Sequence, residues 1–479
     1  MIEKRTFYIN GSWVDPIDGR AFEVIDPSTE ETAAVISLGS SADTDAAVAA
    51  ARAAFPGWAD TPFADRYALV EKLLEVYLSR SREMADAISL EMGSPIDYAI
   101  DQHAPCGDSH IKNFLRAAKD FKFEHPLRPN LKSEYIIHEP IGVIGMITPW
   151  NWPINQIALK VAPALLTGCT MVLKPSEIAP LSGMLFAEMI DEAGFPAGVF
   201  NLVNGDGPGV GTDLSTHSDV DMISFTGSTR AGIAISKAAA DTIKRVSLEL
   251  GGKGANLIFP DARASAVEDG CRDVFENAGQ SCNAPTRMLV HASIYDEAVE
   301  RAAKAAEATR VASSHEPGDH IGPVVSQVQF GKIQDLIQAD IDEGARLVAG
   351  GVGRPDGLNR GYFVRPTVFA DVTNDMTIAR EEIFGPVISI MKFETEDEAV
   401  AIANDTVYGL TNYVQTEDGD RRNRLARKLR SGMVQMNGRG RGAGAPFGGV
   451  KQSGNGREGG VWGLHEFLEV KSIGGWAAE

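Results

Sequence analysis

Hydrophobic and polar positions in the first third of the chain predict a hairpin followed by helices. Asn10-Gly11 separates the apolar runs at 7–9 and 13–14, which is typical of a two-residue turn between paired strands. Alanine-rich or helix-periodic stretches predict helices at 41–55, 62–92 and 111–121. Thr61 is the expected N-cap of the second helix, and Gly93 is expected to end it.

From residue 142 onward, short apolar runs alternate with helical patterns. The predicted strands lie at 142–148, 170–173, 199–203, 221–225 and 245–250. The predicted helices lie at 153–166, 181–193, 210–216 and 229–240. Such alternation implies right-handed crossovers and a parallel sheet with helices on both faces. Ligands of these sheets bind beyond the carboxyl ends of the strands, so functional residues are expected just after each strand.

A second α/β set follows residue 251. Strands are expected at 256–259, 288–291, 387–393 and 434–436, and helices at 296–309 and 328–343. The chain has no internal repeat and no low-complexity linker, which predicts two closely packed doubly wound α/β domains. Segments 122–139 and 468–473 lie outside both sets and are expected to pair as a β arm. Unsatisfied strand edges usually meet a partner subunit, so the arm predicts an oligomer.

Composition and charge exclude several classes of partner. The net charge of −20 repels phosphate backbones and anionic lipid surfaces, so we expect neither nucleic acid nor a membrane as partner. The stretch 141–159 is uncharged and long enough to suggest a membrane span, but it contains two prolines and three amide side chains. A buried strand, a loop and the start of a helix fit it better.

Cysteine usage indicates a reducing compartment. The four cysteines, Cys106, Cys169, Cys271 and Cys282, are too sparse for a disulfide framework and form no C-x-x-C pair. The N-terminus has no apolar secretory segment, which predicts a cytoplasmic protein. No clustered His or Cys spacing suggests a metal site.

Three segments carry candidate catalytic chemistry. Cys282 lies among small and polar residues, where the N–H groups of a first helical turn would stabilise its thiolate; the alternative is a small buried thiol. Glu249 interrupts an apolar strand and would be a general base if buried, but unremarkable if solvated. Asn151, in the rigid TPWNWP loop at 148–153, offers an amide to an oxyanion hole or caps the next helix.

Two further segments suggest a dinucleotide. Lys174 and Glu177 in the KPSE run could hold ribose hydroxyls, and the carboxylate would repel a 2′-phosphate, favouring NAD over NADP; the alternative is a solvated turn. Small residues at 226–229 open a helix that could receive a pyrophosphate, or Ser228 is an ordinary N-cap. No ordinary G-x-G-x-x-G follows a strand, because Val210 stands where the third glycine of 205–210 would be.

Taken together, these segments resemble the aldehyde dehydrogenase superfamily over about 7–473. Cys282 follows Glu249 by 33 residues, close to the family's spacing. The runs EIFGP at 382–386, PFGG at 446–449 and SGNGRE at 453–458 also match family motifs. The resemblance implies a dinucleotide-binding domain at 1–121 and 141–250, a catalytic domain at 251–465, and an oligomerisation arm at 122–140 and 466–479. It further implies a homodimer or homotetramer.

The resemblance also implies roles for individual residues. Cys282 attacks the aldehyde carbon, Asn151 and the Cys282 backbone N–H hold the oxyanion, and Glu249 activates the water that hydrolyses the thioester. Lys160 and Glu458 match a pair proposed to relay protons to the base. NAD is the expected cofactor, with NADP possible, and the implied cofactor contacts are Trp150, Lys174, Ser176, Glu177, Gly207, Phe225, Gly227, Ser228, Leu250, Gln329, Lys332, Glu382, Phe384 and Phe447.

The sequence leaves open which molecule accepts the acyl group and which aldehyde is the substrate. A CoA-acylating semialdehyde dehydrogenase generally lacks the base carboxylate, and a non-enzymatic relative is expected to lose Cys282 or Asn151, so hydrolysis is favoured. Family position puts the substrate channel at Trp152, Asn155, Gln156 and Leu159. Arg439 and Arg441 could steer an anionic aldehyde, since arginine matches carboxylate geometry; the alternative is two arginines on a solvated glycine-rich loop.

Overall fold

Two seven-stranded sheets form the centre of the computed structural model, which describes residues 1–476 and all their side chains except that of Lys132. The first sheet has the order Arg245–Glu249, Met222–Thr226, Val143–Ile147, Thr170–Lys174, Phe200–Leu202, Phe7–Ile9 and Ser12–Val14. Its first five strands run parallel. The last two form the expected antiparallel hairpin, with Asn10 and Gly11 at positive φ in its turn.

Helices cover this sheet on both faces and connect its strands. They are Ser41–Ala59, Phe63–Ser79, Ser81–Met92, Ile96–Tyr98, Ala104–Lys119, Pro153–Thr167, Leu181–Ala193, Thr212–Thr216 and Thr229–Ala239, with π turns at Ala99–His103 and Gly207–Gly211 and a 3₁₀ turn at Ala240–Thr242. Pro153–Thr167 is buried on almost every side and packs against Ala104–Lys119. Burial of this helix explains why the stretch around it carries so little charge.

The second sheet has the order Arg346–Ala349, Thr367–Ala370, Val387–Phe393, Arg287–His291, Ala255–Ile258, Thr411–Gln415 and Met433–Met436. All its pairs are parallel except the first. Its helices are Ala266–Phe275, Tyr295–Ala308, Gln327–Asp342, Thr377–Arg380, Glu396–Asn404 and Gly419–Lys428, with 3₁₀ turns at Glu276–Gly279, Ala292–Ile294 and Lys451–Ser453. The later helix Gly460–Glu466 packs instead against Ala104–Lys119 and Pro153–Thr167 of the first unit. The predicted fold class, two doubly wound α/β units, is confirmed.

Two three-stranded sheets complete the fold. Glu124–Arg128, Leu131–Pro140 and Leu468–Gly474 form an antiparallel sheet, so the two predicted arm segments do pair. The end of the predicted arm, at 477–479, lies outside the described residues. Near the N-terminus, Ile2–Lys4, Glu31–Leu38 and Arg20–Asp26 form a small sheet that the sequence pattern did not predict.

Several element boundaries differ from expectation. The single helix expected at 62–92 is two helices, because Arg80 leaves helical geometry at φ −114° and ψ 14°. Thr61 is not the N-cap: Pro62 holds that position, and the Thr61 hydroxyl donates to the Gly57 carbonyl at 2.8 Å. Gly93 does end the second helix, at φ +78°. The helix expected from 111 already begins at Ala104, after a π turn.

Across residues 1–476, no helix is both long and apolar enough to cross a lipid bilayer.

Candidate active site

The predicted residues collect at one edge of the first sheet. Asn151 follows the strand Val143–Ile147, Lys174 ends the next strand, and Glu249 ends the outermost strand, Arg245–Glu249. Gly227 and Ser228 follow Met222–Thr226 between them. Because these strands are parallel neighbours, their carboxyl ends point the same way, and residues far apart in sequence become neighbours.

Cys282 lies in a turn before the strand Arg287–His291 and lines a cavity of about 230 Å³. The remaining lining residues are Pro149, Trp150, Asn151, Thr226, Gly227, Ser228, Leu250, Gly251, Gln329, Lys332, Glu382 and Phe384. Burial, followed by the charges of Glu382, Glu249 and Glu458, raises the pKa of the Cys282 thiol. The expected lowering of this pKa by a first helical turn is therefore wrong, since no helix begins at Cys282 and carboxylates surround it.

The turn before Cys282 has an unusual backbone. Asn277, Ala278 and Gly279 all have positive φ, at 53°, 54° and 75°. A Cβ on Gly279 would come within 2.0 Å of the Gly385 carbonyl oxygen, so only glycine fits at that position. Non-glycine residues in this region are held there by their surroundings. The turn and the segment that contains Gly385 are therefore closely packed.

Asn151 is tied to this turn rather than to a helix end. Its Nδ2 donates to the Gln280 carbonyl at 3.0 Å, while Asn277 Nδ2 donates to the Asn151 carbonyl at 3.0 Å. Trp152, not Asn151, is the N-cap residue of Pro153–Thr167, and no side chain caps that helix. The capping alternative for Asn151 is thus wrong, and its amide faces the same cavity as Cys282.

Glu249 is buried without compensation. It is only 2 % exposed, and neither carboxylate oxygen has a hydrogen-bond partner among the described residues. Burial, followed by the charge of Glu458, raises the pKa of Glu249 well above its ordinary value. The alternative of a solvated Glu249 is therefore wrong, and the carboxyl group has the environment of a general base.

Lys160 and Glu458 form a buried pair near Glu249. Lys160 Nζ lies 2.5 Å from Glu458 Oε1, and both side chains are nearly inaccessible to solvent. The other oxygen, Glu458 Oε2, has no partner in the described part of the chain. Because Glu458 raises the pKa of Glu249, the three groups are electrostatically linked. A proton relay through this pair stays a prediction, because no hydrogen bond joins Glu249 to either residue.

Glu382 projects into the cavity from a segment that other side chains hold in place. Its Oε1 accepts the Gly252 N–H at 2.8 Å, and a Cβ on Gly251 would come within 2.3 Å of Oε2. Lys332 Nζ donates to the Glu382 carbonyl at 2.8 Å, and Gln329 Nε2 donates to the Phe384 carbonyl at 2.9 Å. Lys332 and Gln329 are expected as cofactor contacts. In the structure they hold the backbone of the segment that carries Glu382.

The predicted ribose-binding segment is buried rather than a solvated turn. Lys174 is 3 % exposed, and its Nζ donates to the Gly205 carbonyl at 2.6 Å and lies 3.5 Å from Glu177 Oε2. Burial lowers the pKa of Lys174. Ser176 is buried beside it, and Gly207 begins the π turn that follows Gly205.

The predicted pyrophosphate segment combines a tight turn with a helix start. Ser228 caps Thr229–Ala239 by accepting the Ala231 N–H at 3.3 Å, so the N-cap alternative is realised. A Cβ on Gly227 would come within 2.5 Å of the Phe225 ring. The Phe225 ring therefore packs so closely against this turn that only glycine fits there.

A second cavity of about 190 Å³ is lined by Phe447, an expected cofactor contact that does not line the first cavity. Its lining includes His110, Asn113, Phe114, Asn155, Leu159, Arg441, Phe447 and Glu458. The Arg441 guanidinium lies 4.6 Å from the centre of the Phe447 ring. Of the predicted channel residues, Arg439 is exposed and outside both linings, and Gln156 is buried in the core. Trp152 also lies outside them and donates from Nε1 to Ser281 Oγ at 2.9 Å.

Sequence reasoning missed three residues that support the site: His103, Asn277 and Gln280. Gln280 Oε1 accepts the Val325 N–H at 2.9 Å, and Asn277 accepts a hydrogen bond from His103. For Asn277 and Gln280 the sequence offers one signal, which is that both are amide side chains close to Cys282 along the chain. Nothing local points to His103, which is distant in sequence. Within residues 1–476, no group of three or more His, Cys, Asp or Glu side chains is arranged to hold a metal ion.

Comparison with known proteins identifies the family. The sequence model of the aldehyde dehydrogenase family matches residues 13–473. A Pseudomonas 3-succinoylsemialdehyde-pyridine dehydrogenase is 51 % identical, with 99 % of each chain covered. The solved aldehyde dehydrogenase of Bartonella henselae is 59 % identical at a TM-score of 0.99, covering 99 % of this chain and 100 % of that one. A Pseudomonas syringae aldehyde dehydrogenase C mutant, solved with NAD⁺ and octanal, is 47 % identical at a TM-score of 0.97, covering 99 % and 97 %. The chain belongs to the aldehyde dehydrogenase family.

Proposed function

We propose that the protein oxidises an aldehyde to a carboxylic acid with NAD, through a thioester on Cys282 that water hydrolyses. One observation carries this proposal: Cys282, the Asn151 amide and Leu250 line one cavity, and Leu250 directly follows Glu249, whose carboxyl oxygens have no hydrogen-bond partner among the described residues. A nucleophile, an oxyanion donor and a base are the groups that acyl chemistry requires. The solved Pseudomonas syringae relative, with NAD⁺ and an aldehyde bound, supports the assignment.

The residues around the first cavity fit a dinucleotide. Gly227 and Ser228 line this cavity directly before the helix Thr229–Ala239, whose N-terminus favours a phosphate. Glu382, with one oxygen free of hydrogen bonds to the backbone, is placed to bind a ribose hydroxyl, and Lys174 with Glu177 would hold the adenine-side ribose. When bound, NAD supplies the acceptor for the hydride, which no side chain can provide.

In acylation, the Cys282 thiol releases its proton to water and its sulfur attacks the aldehyde carbon, which turns a planar carbonyl into a tetrahedral adduct. The adduct carries negative charge on oxygen and can release hydride, which an aldehyde cannot readily do. Asn151 Nδ2 has two hydrogens, and its bond to the Gln280 carbonyl uses one of them. The second hydrogen, with the Cys282 backbone N–H, would hold the oxyanion.

In deacylation, Glu249 takes a proton from the water that attacks the thioester carbon. The bond from this carbon to the Cys282 sulfur then breaks, which releases the carboxylic acid and the Cys282 thiolate. A raised pKa makes its carboxylate a stronger base than an ordinary glutamate. The buried Lys160–Glu458 pair is placed to take this proton onward and to regenerate the base. Glu249 is also the reason to favour water over CoA as the acyl acceptor.

The first test follows NADH formation with purified protein, NAD and a panel of aldehydes. We expect turnover without CoA and one equivalent of carboxylic acid for each NADH. The panel contains octanal, butanal, succinic semialdehyde and 3-succinoylsemialdehyde-pyridine, run with and without CoA. NADH formation that required CoA, with an acyl-CoA product, would contradict the hydrolytic assignment, and no turnover under either condition by folded protein would contradict the activity itself.

We further propose that the substrate carries a carboxylate that Arg441 binds. Arg441 lines the second cavity, and no carboxylate of the described residues lies within salt-bridge distance of it. The nearby carboxylate of Glu458 is already paired with Lys160. A guanidinium without a counter-charge at the lining of a cavity favours an anionic ligand.

Arg441→Ala is expected to lower kcat/KM for succinic semialdehyde by about 10- to 100-fold, the usual range for a lost hydrogen bond to a charged group. Butanal, which has the same chain length and no charge, should change by less than about twofold, because it makes no such bond. Arg439→Ala is the matched control, since Arg439 lies on the same loop outside both cavities. Equal losses for both aldehydes would contradict the anionic-substrate proposal.

Domain roles and assembly complete the proposal. Residues 1–121 and 141–250 would form the dinucleotide-binding domain and 251–465 the catalytic domain. The sheet of 122–140 with the C-terminal segment would join subunits into a homodimer or homotetramer, in the cytoplasm. Exposed apolar side chains on the arm, Val470 at 64 % and Trp476 at 48 %, support a contact there.

A further inference from the structure

His103 occupies an unusual place beside the site. It ends the π turn Ala99–His103, a rare element that often marks functional regions. Its ring is fully buried and stacks on Trp152, with centroids 4.1 Å apart and an interplanar angle of 28°. The edge of Tyr98 closes another side at 5.5 Å. Trp152 in turn follows directly after Asn151 in the chain.

The hydrogen bonds of Asn277 determine which nitrogen of His103 carries the proton. Asn277 Nδ2 donates to the carbonyls of Asn151 and Gln280, at 3.0 and 3.2 Å. Its Oδ1 must therefore accept, and the donor is His103 Nε2 at 3.1 Å. Nδ1 of the ring, buried and without a partner in the described chain, is then the unprotonated nitrogen. Burial lowers the pKa of His103 to about 4, which keeps the ring neutral at physiological pH.

The turn at Asn277 needs such anchoring because two consecutive residues with a Cβ are left-handed. Asn277 and Ala278 both have positive φ, a region that side chains with a Cβ disfavour. The Asn277 carbonyl accepts from both the backbone N–H and the side-chain Nε2 of Gln280, each at 3.1 Å. His103 supplies the remaining contact, to Oδ1, from an element outside the turn. Every polar atom of this side chain is thereby used.

We infer that His103 is a positioning residue for the oxyanion site. Through Asn277 it fixes the carbonyls of Asn151 and Gln280, and these set the direction of the Asn151 amide and of the chain that leads to the Cys282 N–H. This inference rests on the proposed function. His103 touches neither cavity lining, so its effect passes through Asn277.

Two variants separate the hydrogen bond from the packing. His103→Phe keeps a ring on Trp152 and removes the donor, whereas His103→Gln keeps an N–H donor and removes the ring. His103→Phe is expected to lower kcat on the order of 10- to 100-fold, because small errors in the position of a reacting group are costly. The KM for the aldehyde, the affinity for NAD by fluorescence titration and the rate of Cys282 alkylation by iodoacetamide should change by less than about threefold. His103→Gln should regain most of the lost kcat.

A double-mutant cycle tests the inference even if the single variants lower the stability of the fold. The double variant His103→Phe with Asn277→Ala should be no slower than Asn277→Ala alone, since both changes remove the same contact. Additive losses, an equal loss in His103→Gln and His103→Phe, or wild-type kcat in His103→Phe would each overturn the role of His103. None of these results would touch the proposed function, which fails only if the wild type itself does not turn over or Cys282→Ala turns over equally well.

Discussion

Cys282→Ala is expected to abolish NADH formation, with kcat lower by roughly 10⁴-fold or more, as in other enzymes that lose their nucleophile. Without the sulfur no tetrahedral adduct forms, and the aldehyde keeps a planar carbon that does not release hydride. The fold should tolerate the change, because Cys282 lies in a partly exposed turn and makes no hydrogen bond through its sulfur among the described residues. Progress curves of NADH absorbance measure the loss, and thermal unfolding checks the fold.

Cys106→Ala is the matched control. Cys106 is also partly exposed, but it lies in the helix Ala104–Lys119, outside both cavities, and donates to the Gln102 carbonyl at 3.1 Å. Its kcat should stay within about twofold of the wild type, as expected away from the chemistry. Acid quenching during turnover should leave a covalent acyl group on wild-type Cys282 and none on the alanine variant. More than a few per cent of wild-type kcat in Cys282→Ala would remove Cys282 from the mechanism.

Glu249→Gln is expected to separate the two half-reactions. The first turnover should still release about one equivalent of NADH per active site, after which the steady-state rate should fall by about 10²- to 10⁴-fold, the usual contribution of a general base. Glutamine fills the same volume but cannot take a proton from water, so the thioester accumulates. Stopped-flow absorbance resolves the burst, and mass spectrometry of the quenched protein identifies the acyl group. A steady state as fast as the wild type would contradict the base role.

The pH dependence gives an independent check. Burial and Glu458 raise the pKa of Glu249, and its active form is the carboxylate. The steady-state rate of the wild type should therefore rise with pH through that raised pKa and be lost as pH falls, whereas Glu249→Gln should lack this limb. Glu91 is a control: burial raises its pKa to about 7, but it binds the N–H groups of Leu181 and Ser182 and lines neither cavity. Glu91→Gln should keep the limb, and its loss there would assign the titration elsewhere.

Much of the fold follows from local patterns. Fully apolar runs such as Val143–Ile147 and Met222–Thr226 are buried strands, and Asn10-Gly11 forms the hairpin turn because both residues accept positive φ. Helix ends are less visible where no glycine or proline marks them. The break at Arg80 is one example, since nothing in the 3.6-residue period changes between Phe63–Ser79 and Ser81–Met92.

The electrostatics of the site depend on residues that are distant in sequence. Local sequence favoured a lowered pKa for Cys282, but Glu249, Glu382 and Glu458 come together around it and raise that pKa. Local sequence also left the burial of Glu249 open, because a carboxylate at a strand end can face either way. Arg439 and Arg441 are equivalent as sequence and both are exposed, and only the path of their loop brings Arg441 to the lining of a cavity.

The sequence by itself determined the fold class, the strand ends that carry the candidate residues, and the resemblance to the aldehyde dehydrogenases. These depend on short-range periodicity and on the order of motifs, both of which can be read along one chain. Only the tertiary structure decided that Asn151 is bound to the Cys282 turn, that Lys332 and Gln329 hold the Glu382 segment, and that His103 donates to Asn277. The burial of a side chain and its hydrogen-bond partners depend on segments tens to hundreds of residues apart. The local sequence around a residue therefore does not predict them.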